Sequence, residues 1–100
     1  MATTNYELEE EFFGDNHKAK KLVQDILTNA ADAHKNMNKM FGKKKYELYL
    51  KATSHDLNEL SKIAGSLEMT EKYINTVKNI YPNWDDAYII IDALIENSRQ

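Results

Sequence analysis

The stretch His17-Lys18-Ala19-Lys20-Lys21-Leu22-Val23-Gln24-Asp25-Ile26-Leu27-Thr28-Asn29-Ala30-Ala31-Asp32-Ala33-His34-Lys35-Asn36-Met37-Asn38-Lys39-Met40-Phe41 decides the fold. Val23, Ile26, Leu27, Ala30, His34, Met37 and Phe41 return at three- and four-residue steps, which is the signature of one buried helix face. Lys18, Lys21, Asp25, Thr28, Asp32, Lys35 and Lys39 form a polar stripe on another face. The pattern predicts a helix capped by Asp15 or Asn16, running to about Phe41 and closed by Gly42. At 1.5 Å per residue it would be roughly 39 Å long. A lone domain of this size has a radius of gyration near ~13 Å. Such a helix is therefore expected to kink near Asn29 or Asn36, or to be covered by a second copy or a partner.

The same period runs outward in both directions. Residues 5–13 read as a short helix with Leu8 and Phe12 on one face, Phe13 beside them, and Gly14 ending it. Nine residues are too few to be helical alone, so this acidic arm, residues 1–14, is expected to dock on its own domain. Beyond Gly42, Tyr46, Leu50, Thr53, Leu57, Leu60 and Ala64 mark a further helix ended by Gly65, with a restart at a Thr53–Asp56 capping box as the alternative. Ser66 or Thr70 starts the next helix, with Tyr73, Ile74, Val77, Ile80 and Tyr81 inward and Pro82 stopping it. Asn83 is the expected cap of the last helix, whose buried face is Trp84, Ala87, Tyr88, Ile91, Leu94 and Ile95. The expected fold is all-α, a compact bundle of four to five helices with one long central helix, in a single domain over residues 1–100. A homodimer is one way to cover the overhang.

Composition agrees with this. The 100 residues include 42% hydrophobic side chains, three glycines and one proline, too little punctuation for an all-β fold. There is no cysteine, which removes disulfides, thiolate catalysis and cysteine-based zinc sites. The first residues have neither a basic nor an apolar leader character, and Ile89-Ile90-Ile91 is far short of a membrane span, so a cytoplasmic location is expected. Twelve lysines against one arginine, with ten asparagines, suit an AT-rich genome such as that of a phage, plasmid or low-GC bacterium. In a phage the location would be the host cytoplasm.

Charge is unevenly spread. The net −3 divides into −5 over residues 1–15, +6 over residues 16–45, −1 over residues 46–82 and −3 over residues 83–100. The basic segment carries Lys18, Lys21, Lys35, Lys39, Lys43, Lys44 and Lys45, a set that could meet an acidic protein or nucleic-acid phosphates. Two aliphatic residues fall off the apolar stripes: Leu48 stands opposite Tyr46 and Leu50, and Ile89 lies among Asp85, Asp92 and Glu96. With the over-long helix they point to an oligomer or a protein partner.

Catalytic equipment is scarce. His17, His34 and His55 stand in no metal-binding helical spacing, and no glycine-rich loop is present to cradle phosphate. Ser54-His55 with Glu59 is a local run rather than a nucleophile, base and orienter converging from separate elements. No cofactor, metal or catalytic residue is assigned, and the chain is not expected to be an enzyme.

Residues 64–77, Ala-Gly-Ser-Leu-Glu-Met-Thr-Glu-Lys-Tyr-Ile-Asn-Thr-Val, resemble the helix-turn-helix of phage-repressor-type regulators. The resemblance implies buried Tyr73, Ile74 and Val77, and a reading helix presenting Thr70, Glu71, Lys72 and Asn75 to a DNA groove. Glu68 stands where that family has glycine in its turn. Two functions follow as expectations. The first is a non-catalytic protein-binding module, a phage- or mobile-element-encoded inhibitor or adaptor acting through Leu48, Ile89 and the lysines. The alternative is a small DNA-binding regulator reading through residues 60–78.

Overall fold

The computed structural model describes residues 5–99, so residues 1–4 of the acidic arm and Gln100 lie outside it. Five helices follow one another: α1 (Tyr6–Phe13), α2 (His17–Met37), α3 (Lys43–Ala64), α4 (Leu67–Ile80) and α5 (Asp85–Ser98). Among the described residues there is no strand. The Cα radius of gyration is 13.3 Å.

The helix starts are local chemistry. Asn5, Asn16 and Ser66 each accept a hydrogen bond from the backbone N–H three residues on, which satisfies one orphan donor of α1, α2 and α4. The last helix departs from expectation: Trp84, not Asn83, occupies its cap position, and no side chain caps it. Asp85 and Asp86 in the first turn complement the helix dipole there. Gly65 ends α3 at φ 107°, a left-handed conformation that a Cβ would strain. The helix does not restart at Thr53, whose hydroxyl donates instead to the Tyr49 carbonyl at 2.7 Å.

Helices α2 and α3 form the long pair at the centre, and α5 lies along α2. Val23, Ile26, Leu27 and Ala30 from α2, Leu60 from α3, Ile74, Val77 and Ile80 from α4, and Ile91 from α5 are sealed between them. The central helix is shorter than its apolar stripe, ending at Met37 rather than Phe41. Its 21 residues span about 31 Å by the helical rise. The overhang that called for a kink or a covering partner is thereby removed.

The arm docks through Phe12 and Phe13 as expected, but Leu8 of the same face stays exposed and Glu9 is buried instead. Phe13 and Glu9 are buried, while Leu8 and Tyr6 remain exposed. Phe12 packs edge-on against Tyr73 at 4.6 Å between centroids. The Glu9 carboxylate is held by the Lys20 ammonium and accepts a hydrogen bond from the Tyr81 hydroxyl at 3.0 Å. The Asn5 N–H donates to the Ile80 carbonyl, closing the arm onto the end of α4.

Two phenols in this region should limit alkaline stability. Burial, with the hydrogen bond to Glu9 second, pushes the Tyr81 hydroxyl up to about 12. Burial also raises Tyr88, whose hydroxyl donates to the Tyr81 carbonyl at 2.7 Å. Unfolded tyrosines ionise near pH ~10, so between that pH and the folded values the folded chain binds more protons. Stability should be insensitive to these groups below pH ~10 and fall as pH rises from there towards 12. Thermal melts across that range, with phenolate absorbance followed alongside, check this. A melting temperature unchanged through the window would contradict it.

Candidate binding surface at the α2–α3 turn

The turn joining the two central helices is built to protrude. Asn36, buried near the end of α2, folds its side-chain amide back onto the Asp32 carbonyl at 2.9 Å. Such backbone capture competes with helix continuation. The Lys39 N–H then donates to the Asn36 carbonyl and the Gly42 N–H to the Lys39 carbonyl, both at 3.2 Å. Gly42 passes so close to the end of α2 that a Cβ there would collide with the Asn36 carbonyl oxygen. The chain thus reverses tightly between Met37 and Lys43.

This reversal throws apolar side chains outward. Phe41 is 91% exposed and Met40 is 88% exposed, and Met37 is exposed as well. Phe41 and Met37 were expected on the buried stripe; the early end of α2 is what releases them. Lys35, Lys39, Lys43, Lys44 and Lys45 surround the pair in sequence, with no acidic residue between Asp32 and Glu47. Among the described residues, the lysines that form ion pairs are Lys20, Lys21, Lys62 and Lys78, none of which belongs to the turn. Lys43, Lys44 and Lys45 fill the first turn of α3, the positive end of its dipole, and Gly42 gives no side-chain cap. Folding gains nothing from that placement. Leu48, one turn beyond Lys44, is exposed as its phase indicated.

The other sequence-derived residues are placed apart. Lys18 and Lys21 lie near the start of α2, about 26 and 21 Å along the helix from Lys35. Lys21 faces Asp25 at 3.5 Å, and both lysines border a depression shared with Glu59 and Ile63. The basic segment is therefore two surfaces, not one. Ile89 is exposed on α5, in a shallow hollow with Lys78, Pro82, Asp85 and Asp92. Lys78 is bound to Asp92 at 2.9 Å.

The helix-turn-helix resemblance does not survive at its key position. Its reading helix would begin near Thr70, but α4 begins at Leu67, one turn earlier. Thr70 is consequently 1% exposed, its hydroxyl 2.7 Å from the Ser66 carbonyl and 2.9 Å from Ser61 Oγ. It faces the core, not a groove. Glu71 is paired with Arg99, while Lys72 and Asn75 are exposed. Ile74 and Val77 are buried, as the resemblance implied and as core packing alone requires, whereas Tyr73 is only half-buried.

His34, on the α2 stripe, lies with Nδ1 3.7 Å from the Asp86 carboxylate at the start of α5. Ser54 and His55 share the wall of an open groove, and His55 Nε2 is 3.9 Å from Glu59. Among the described residues, no three His, Asp or Glu side chains converge as metal ligands. No helix there is long and apolar enough to cross a membrane. Compared with protein-family models, with curated proteins and with solved structures, the chain matches none.

Proposed function

We propose that this chain is a non-catalytic protein-binding module whose working surface is the α2–α3 turn. One observation carries the reading: two adjacent large apolar residues, Met40 and Phe41, stand almost fully in water on a turn shaped by Gly42 and flanked in sequence by lysines. Scattered exposed apolar residues are ordinary, but an adjacent pair with exposed Met37 and Leu48 close in sequence is the composition of an interface anchor. Methionine and phenylalanine supply contact area, and the lysines supply attraction to an acidic partner and orientation on it. An inhibitor or adaptor needs no more machinery than this.

The test is site-specific photo-crosslinking. A photoreactive phenylalanine replaces Phe41 in one version of the chain and Asn75, an exposed residue of α4, in another. In extract of the source cells, the expected result is a discrete protein adduct from position 41 that is absent from position 75. The adduct should disappear when Lys43, Lys44 and Lys45 are changed to glutamate. Adducts of equal yield from both positions, or a nucleic-acid adduct at position 41, would overturn the proposal.

A further inference from the structure

The end of the molecule that bears the basic turn also bears an acidic, apolar patch. His34 on the last turns of α2 lies 3.7 Å from Asp86, and Ala31 shares a hollow with Trp84 and Asp85. The start of α5 is therefore held against the part of α2 that leads into the turn. This patch consists of Asp85 and Asp86, neither paired with a lysine or arginine among the described residues, with half-buried Trp84 and, one helical turn on, exposed Ile89. Each surface has what the other lacks. The turn offers Met40 and Phe41 among lysines; the patch offers Ile89 and Trp84 beside two aspartates.

From this we infer that the occupant of the turn is a second copy of the same chain, in a two-fold dimer. Each basic turn lies on the other copy's acidic patch. The inference rests on reading the α2–α3 turn as a protein-binding surface, and it names that surface's partner. A two-fold interface must be self-complementary, with residue i of one copy meeting residue j of the other and the reverse. Two opposite patches at one end of one molecule meet that requirement, because a single rotation brings both pairs together. The neighbouring aspartates also argue against a uniformly anionic occupant. A phosphate backbone or an acidic lipid surface brought to the lysines would meet Asp85 and Asp86 as like charges.

Charge exchange between two versions of the full chain tests this, read as mass by light scattering at high-micromolar concentration and low salt. The first version carries Lys43→Glu, Lys44→Glu and Lys45→Glu, which places acids at the positive end of α3 and should not weaken the fold. The second carries Asp85→Lys and Asp86→Lys, with circular dichroism confirming that α5 still forms. The unaltered chain should weigh twice its 11.6 kDa. Each altered version alone should weigh 11.6 kDa, because like charges then face each other. Mixed in equal amounts they should return to the doubled mass, since acidic turn meets basic patch and basic turn meets acidic patch. An unaltered chain that stays at 11.6 kDa overturns the inference, and crosslinking at position 41 then judges the binding surface independently. Altered versions that still dimerise alone overturn it, as does a mixture that remains monomeric. Should Asp85→Lys and Asp86→Lys disrupt α5, Asp85→Asn and Asp86→Asn replace them. That neutral version should dimerise at least tenfold more weakly, and unchanged dimerisation overturns the inference.

Discussion

Changing Ile91 to alanine should cost about 3–4 kcal/mol of folding stability. Ile91 is 0% exposed on α5, the helix that packs chiefly against α2. Truncation removes three carbons' worth of transfer free energy and leaves a cavity that rigid helices on both sides cannot collapse to fill. A domain of this size has only about 5–15 kcal/mol in hand. The melting temperature should therefore fall by about 12–25 °C, at the usual few degrees per kcal/mol for small domains. A calorimetric or circular-dichroism melt measures it. A fall of only a few degrees would mean that α5 is not packed as described.

That core was readable because helix burial repeats every three to four residues, and the chain keeps this period in α2, α4 and α5. What the period could not give was where the pattern stops applying. Met37 and Phe41 continue the stripe of Ile26, Ala30 and His34 in phase, so the sequence alone extends the helix through them. The end coincides with Asn36, whose amide turns back on the Asp32 carbonyl, and with the close pass of Gly42. The Asn36-Met37-Asn38 spacing and Gly42 were the only local signals, and an unbroken apolar stripe outweighed them. Glu9 illustrates a different blindness. In the first turn of a short helix a glutamate reads as a dipole partner in water. Its burial depends on Tyr81, 72 residues away, which no local pattern connects to it.

The candidate surface was half legible. Leu48 and Ile89 were found by phase, because an aliphatic residue opposite the core stripe has nowhere to go but outward. The lysines were found by counting charge, but the count joined Lys18 and Lys21 to a turn that lies most of a helix away. Met40 and Phe41, the most exposed apolar pair, were missed because position 41 was credited to the core. The resemblance to a reading helix failed for a related reason. Apolar spacing at Tyr73, Ile74 and Val77 is common to any packed helix, and only the position of Ser66 as cap, one turn early, decides that Thr70 faces inward.

If the turn exists to bind rather than to fold, one substitution should separate the two properties. Phe41→Ser removes an exposed ring that contributes no packing, so folding stability should change by no more than about 0.5 kcal/mol. In the complex the same ring is an anchor, and losing an anchor of this kind costs about 2 kcal/mol or more, roughly 30-fold in affinity. The decisive measurement is therefore the melting temperature and the dissociation constant of Phe41→Ser, taken side by side with the unaltered chain on the complex captured at position 41. The prediction is a melting temperature within about 4 °C of the original and a dissociation constant raised about 30-fold or more. An unchanged dissociation constant, or a loss of stability approaching that of Ile91→Ala, would contradict it.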